Sequence, residues 1–344
     1  MPKPETDEFI TAFGLLSHLY LTPSLVALVR GRVPDHLHPD PLPTSELAKR
    51  SGLHDLTLTR ALRALATFGA FQEVSPGVFA NNPVSDFYRD RPGGIRNAVL
   101  FWGDEHLLKS AVELGHSVKT GESSFEHVHG ESFWDRMRRL PDECELFNRA
   151  LADLRGDEHR QIAGAYDWSG TDTVVDVGGG AGSLLAAILE KHEGMRGVLV
   201  EQPEVLPDAD RLLSKRGVRK RCEFLGGSFF HPIAATGEVW TLCQVLHDWP
   251  DAECRSILQR CRDAMRETDR LLVIEMLTVP CQPNPGVAML DMMMLLYFGE
   301  ARQRTAEEYE ALFRATGLRL TRVIATPSAF SILEARRAAS DSGR

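Results

Sequence analysis

An imidazole and a carboxylate brought to the same edge of a sheet can take up and hold a proton, and two segments of this chain offer that pair. In LCQVLHDWPDAECRSIL, His247 follows the β-prone run GEVWTLCQV and precedes a helical stretch. In RLLVIEM, Glu275 closes the next β-prone run. If both runs are parallel strands, both residues stand at carboxyl ends, the edge where doubly wound sheets place their ligands. A carboxylate there orients the ring and stabilises its protonated form. A lone His before a helix would be an ordinary capping or core residue. The expected carboxylate makes it a candidate for proton transfer.

A second constellation lies upstream, in TVVDVGGGAGSLLAAILEKH. A buried strand is expected to end at Asp176, Gly178–Gly180 and Gly182 to make a tight turn, and a helix to open near Ser183. Glycines let the backbone approach a ligand, and the helix N-terminus favours negative charge. The next β-prone run, GVLVE, ends in Glu201, 23 residues beyond Gly178. A carboxylate there can accept hydrogen bonds from both ribose hydroxyls of a nucleoside-bearing cofactor. The dinucleotide fingerprint G-x-G-x-x-G is not completed, because Ser183 stands where the third glycine belongs, and no P-loop lysine follows. The G-x-G-x-G spacing after Asp176 resembles the S-adenosylmethionine loop of class I methyltransferases.

The elements that must position these residues can be read from the pattern. From Thr171 onward the runs TVVDV, GVLVE, CEFLG, GEVWTLCQV and RLLVIEM alternate with SLLAAILEKH, EVLPDADRLLSKRG and DAECRSILQRCRDAMRE. Such alternation predicts an α/β fold with a doubly wound parallel sheet. A helix, TAEEYEALFRATG, and two β-prone runs, LRLTRVIA and AFSILEA, close the chain. The first hundred residues predict helix LTPSLVALVRG, then SELAKRSG capped by Thr44 or Ser45, then LTLTRALRALATFG and a hairpin around Ser75-Pro76-Gly77. Helix, turn, helix and hairpin make a winged-helix pattern. Three parts follow: a winged-helix domain over 1–100, a helical connector over 101–165 and an α/β domain over 166–344. Aromatics such as Phe101, Trp102, Phe125, Phe133 and Trp134 recur in the connector, as core anchors or as walls for a flat substrate.

Composition narrows the function class. The 344 residues are 43% hydrophobic and 25% charged, ordinary for a globular protein. No run of about 18 apolar residues occurs; the nearest, Ala288–Phe298, carries Asp291. The opening MPKPETDEF does not read as a secretory signal, so a cytoplasmic protein is expected. Its six cysteines include no C-x-x-C pair and read as free thiols. The net charge of −9 shows no basic footprint for nucleic acid. The second helix of the winged-helix pattern offers only Arg60 and Arg63, so packing or dimerisation is the expected role rather than DNA reading.

Taken together, YDWSG, DVGGGAG, VEQPEV, GGSFF, LHDWPD, VIEM, LDMMMLL and RQRTAEEYEALF resemble the two-domain, S-adenosylmethionine-dependent small-molecule O-methyltransferases. These include plant caffeate enzymes and bacterial enzymes that tailor antibiotics and polyketides. The resemblance implies a homodimer joined through the N-terminal domain. It also implies that Asp176, Gly178, Gly180 and Glu201 hold the cofactor, with Ser228 and Phe229 flanking its adenine and Cys243 on the adenine side. His247 is then the general base and Glu275 its orienting partner. Trp102, Phe133, Asp248, Asp291 and Met294 line the acceptor pocket, whereas Met289 and Met292 are expected in the core. Plant members carry a second glutamate before the Arg-Thr pair; here Gln303 precedes Arg304-Thr305, and Glu300 lies nearby.

The implied reaction is methyl transfer to a phenolic or enolic oxygen, without metal. A phenol of pKa about 10 and an imidazole of about 6.5 make full proton transfer uphill, so the base must act as attack proceeds. Acceptors acidified by a nearby carbonyl ask less of it. Carbon or nitrogen methylation on the same fold, a methyltransferase-like hydroxylase and a ligand-sensing winged-helix regulator are the competing readings.

Overall fold

The computed structural model describes residues 7–338, so most of the opening MPKPETDEF lies outside the described residues. Two compact units emerge, one of residues 1–112 and 134–156, the other of 113–133 and 157–344. The predicted connector 101–165 is therefore no separate body: its helices divide between the two.

In the first unit, helix Asp7–Arg30 is longer than the predicted stretch and ends before Gly31. Helices Thr44–Ser51 and Asp55–Thr67 follow, with the short strand β1 (Leu42–Pro43) and the hairpin β2 (Gln72–Ser75) and β3 (Val78–Ala80). All three strands pair antiparallel, in the order β1-β3-β2. Leu28, Val33, Leu47, Leu58, Leu62, Phe71 and Phe79 form the core beneath this winged helix. Thr44 does not cap the first of these helices but begins it, after Pro43, and its hydroxyl accepts from Thr59 Oγ1 at 2.9 Å. Arg63 is bound to Glu73 at 2.7 Å, which ties helix to hairpin.

The second unit carries a seven-stranded sheet: β4 (Thr173–Val177), β5 (Arg196–Glu201), β6 (Cys222–Gly226), β7 (Val239–Cys243), β8 (Arg270–Glu275), β9 (Leu318–Ala325) and β10 (Ser331–Arg337). Their order is β6-β5-β4-β7-β8-β10-β9. The first five strands in sequence are parallel, whereas β10 runs antiparallel between β8 and β9, so the sheet is mixed rather than wholly parallel. Parallel strands buried on both faces read as unbroken apolar runs, and alternate residues of β4 divide accordingly. Val174 faces helices Glu158–Ala165 and Ser183–Lys191, while Val175 and Val177 face helices Asp251–Ala264 and Ala306–Ala315. The central strands thus bring Val177, Glu201, Cys243 and Glu275 to one edge of the sheet.

Candidate active site

The turn after β7 holds the imidazole. Gln244 adopts φ 56°, a left-handed conformation costing a non-glycine residue about 1–2 kcal/mol, while its N–H donates to the Ile274 carbonyl at 3.0 Å. That reversal leads into a single 3-10 turn, Leu246–Asp248, and His247 lands beside the end of β8. His247 Nδ1 lies 2.6 Å from Glu275 Oε2. The other carboxylate oxygen, Oε1, accepts the backbone N–H groups of Val245, Leu246 and His247 at 3.2, 3.0 and 3.3 Å. Glu275 is fully buried, so this one carboxylate fixes both the ring and the peptide that carries it. On the far side of the ring, Nε2 lies 3.2 Å from Asp248 Oδ1. Burial alone would drive the proton off His247, but the charges of Glu275 and Asp248 outweigh it and raise the pKa to about 10. The two carboxylates therefore favour the imidazolium form of His247.

Arg304 braces this turn. Its guanidinium is completely buried and donates to the carbonyls of Leu246 and Trp249 at 2.9 and 2.7 Å and to Asp251 at 2.8 Å. Those acceptors bracket His247-Asp248. The next residue, Thr305, caps helix Ala306–Ala315 in a reciprocal box with Glu308. Sequence reasoning passed over Arg304 as a site residue; the signal was a cation placed immediately before the capping pattern T-x-x-E.

At the neighbouring strand ends, the glycine turn runs between Asp176 and Ser183 as expected. Gly178 has φ 69°, and a Cβ there would stand 3.0 Å from Val245 Cγ2 and 3.2 Å from the Phe229 ring. A Cβ on Gly179 would meet Asp176 Oδ2 at 2.2 Å, so only glycine allows the turn to fold over that carboxylate. Asp176 is wholly buried and accepts the Thr241 hydroxyl at 2.7 Å. Burial raises its pKa, the Thr241 bond opposes this, and the nearby Glu201 charge adds to it, giving about 6. Glu201 Oε2 accepts the Gly180 N–H at 2.8 Å and Oε1 the Gln202 N–H at 2.7 Å. Burial raises its pKa as well, against those two bonds. Each carboxylate oxygen keeps a lone pair for a further donor, the pair of acceptors that a ribose diol requires. Ser228 Oγ accepts the Phe230 N–H at 3.3 Å, and Phe229 packs edge-on against Trp249. Cys243 ends β7, half-buried, in the strand beside β4.

The residues expected around the acceptor distribute unevenly. Asp291 Oδ1 accepts the backbone N–H of Gln303 at 2.7 Å, joining helix Pro285–Phe298 to the Arg304 segment. On the same helix Met294 is buried, but Met289 and Met292 are 66% and 43% exposed, so the core expected for those two is corrected. That helix is apolar around its whole circumference and buries only part of it. Phe133 is buried among aromatic rings, 4.3 Å from Tyr297 and 5.6 Å from Phe125 between centroids. Trp102 belongs to the first unit, edge-on to Phe101, with its buried indole N–H unpaired. Glu300 is exposed and close to Gly121, and the chain turns inward only after it. Among the described residues no three His, Cys, Asp or Glu side chains gather as a metal site. No described helix is long and apolar enough to cross a membrane.

Comparison with known proteins supplies the context. Residues 111–319 match the O-methyltransferase domain family and residues 13–91 the O-methyltransferase dimerisation domain. The chain is 39% identical over 309 residues to the mitomycin biosynthesis 6-O-methyltransferase of Streptomyces lavendulae, covering 89% of this chain and 88% of that one. It superposes on the mitomycin 7-O-methyltransferase MmcR with a TM-score of 0.89 and 37% identity, over 95% of this chain and 97% of that one. The neocarzinostatin O-methyltransferase NcsB1, solved with S-adenosylmethionine and 2-hydroxy-5-methyl naphthoic acid, aligns at a TM-score of 0.79 and 30% identity, over 92% and 96% of the two chains.

Proposed function

The chain belongs to the O-methyltransferase family, and from that premise we propose that it methylates a phenolic or enolic hydroxyl of an aromatic small molecule in bacterial secondary metabolism. It is an S-adenosylmethionine-dependent methyltransferase. When bound, S-adenosylmethionine would supply an electrophilic methyl group for transfer to the acceptor oxygen, with S-adenosylhomocysteine as the other product. The chain's own residues do the rest. Glu201 holds the ribose diol, with Gly178 and Gly180 allowing close backbone approach, and Asp176 supports the turn from beneath. Phe229 and Ser228 border the adenine, with Cys243 on its other side. Met294, Asp291 and Asp248 stand on the acceptor side, and Phe133 supplies aromatic surface.

His247 Nε2 receives the acceptor's proton. For that the ring must first lose its Nε2 proton to solvent, and an acceptor hydroxyl that displaces Asp248 from Nε2 favours this loss by moving away one of the two carboxylates that hold the proton. Glu275 remains on Nδ1 and holds the tautomer. The observation that carries this reading is the 2.6 Å His247–Glu275 pair, set on the same sheet edge as Glu201 and the glycine turn. The enzyme works as a cytoplasmic homodimer through its dimerisation domain, a reading supported by the apolar side chains this unit exposes.

Titration with S-adenosylmethionine, S-adenosylhomocysteine and NAD in parallel tests the cofactor half: the first two bind and NAD does not. Incubation with phenolic acceptors then yields a mass gain of one methyl group, located on oxygen by NMR. A methyl found on carbon or nitrogen would replace the O-methylation reading.

A further inference from the structure

Gln303 is an unusual residue for its position. It is only 4% exposed, and neither its amide nitrogen nor its amide oxygen has a partner. Among the described residues no other side chain leaves two buried polar atoms unpaired. An amide removed from water without a compensating bond is costly, so a pair of such atoms in one side chain points to a ligand that completes them.

The backbone fixes the position of Gln303 itself. Gln303 N–H is held by Asp291, on the helix that also carries Met294. Its neighbour Arg304 grips the Leu246 and Trp249 carbonyls on either side of His247-Asp248. The Arg304 carbonyl accepts the N–H of Thr278, three residues beyond Glu275. Gln303 is therefore fixed among the three segments that carry the proton-handling pair and the acceptor-side helix. Its chemistry also differs from what surrounds it. Glu275 and Asp248 already supply two negative charges to one imidazole, and a neutral donor tolerates an ionised acceptor where a third carboxylate would repel it.

We propose that the Gln303 amide reads an oxygen adjacent to the one being methylated, so that this enzyme selects phenols or enols bearing a conjugated carbonyl on the neighbouring ring carbon. The inference rests on the methyltransferase reading above. Gln303 Nε2–H donates to the carbonyl oxygen, while the acceptor oxygen, acidified by conjugation, meets His247 Nε2. The carbonyl shares the negative charge that both donors then hold, so such an acceptor can react without first surrendering a proton to His247. Gln303 acts here in specificity and positioning, while His247, still protonated, donates to the ionised oxygen of such an acceptor, whose proton has gone to solvent.

The test uses 1-acetyl-2-naphthol and 2-naphthol, which differ in the carbonyl, titrated into the full-length protein saturated with S-adenosylhomocysteine. The wild-type protein should bind the ketone about 10–100-fold more tightly, the range of one buried hydrogen bond. Gln303→Met should erase that preference, leave S-adenosylhomocysteine affinity intact and keep or raise Tm, because an unpaired buried amide has been removed. Gln303→Glu should reverse the preference by placing a carboxylate against the carbonyl. Equal or undetectable binding of both naphthols by the wild type, a preference that survives Gln303→Met, or a Tm lowered by several degrees would overturn the proposal. Failure of the underlying reading shows differently, as no binding of S-adenosylmethionine or S-adenosylhomocysteine at all.

Discussion

His247 is held by opposing forces that the acceptor can rebalance. With the free ring titrating near 10, the neutral base is a minor species at neutral pH. For a simple un-ionised phenol, kcat/KM should therefore climb about tenfold per unit between pH 7 and 9. A plateau beginning near 6.5 would mean that the two carboxylates do not hold the proton. The same pair contributes to stability: because the folded pKa lies above the unfolded value of about 6.5, its contribution is complete below that pH and is lost as pH rises through about 10. Glu275→Gln should remove this alkaline loss, read as a Tm difference from wild type that shrinks between pH 7 and 10. His247→Ala and Glu201→Ala should behave as mirror images. The first cuts turnover about 10²–10⁴-fold with cofactor affinity nearly intact; the second weakens S-adenosylhomocysteine binding in a calorimeter. A loss of cofactor affinity in the first, or none in the second, would reverse the assignments.

At the scale of elements, much was legible because the strands are short, buried and bounded by strong punctuation. TVVDV, CEFLG and LRLTRVIA coincide with β4, β6 and β9. GEVWTLCQV was overextended, because periodicity cannot see that Gln244 turns into the left-handed region. Nor can it see the antiparallel insertion of β10 between β8 and β9, since strand order is decided by packing across the sheet. The glycine turn and the His247–Glu275 pairing could be read, because both follow from strand ends. Gln303 reads in the sequence as a missing carboxylate; its burial without partners arises from packing between segments distant in sequence. Arg304 was missed as a brace because its partners are backbone carbonyls more than fifty residues away. Arg304→Met should destabilise the fold by about 1–3 kcal/mol for each of the Leu246 and Trp249 carbonyls it leaves unpaired, Asp251 keeping Arg302 as a partner. In denaturant melts the loss should exceed that of Arg302→Met, whose guanidinium is partly exposed.

For the whole molecule, the first unit leaves apolar side chains in water on its long helix: Leu15, Leu16, Leu19 and Tyr20 are 71%, 67%, 65% and 71% exposed. Four such side chains within two turns exceed the scattered apolar exposure of an ordinary surface, and they lie within the dimerisation domain match. Leu16→Glu with Leu19→Glu should convert a dimer to a monomer in light scattering, with the far-ultraviolet spectrum unchanged. Identical masses for the two proteins would place the interface elsewhere.

The place of β10 in the sheet has a consequence for how the enzyme is made. β8, which ends in Glu275, pairs along one side with β10, residues 331–337. While the ribosome is still adding those residues, that side of β8 has no neighbour, and the strand that carries Glu275 is an open template for foreign strands. A chain released early would carry every residue named in the chemistry and still lack the closed sheet that protects them. Competence thus waits on β10, which closes that side of β8 against foreign strands.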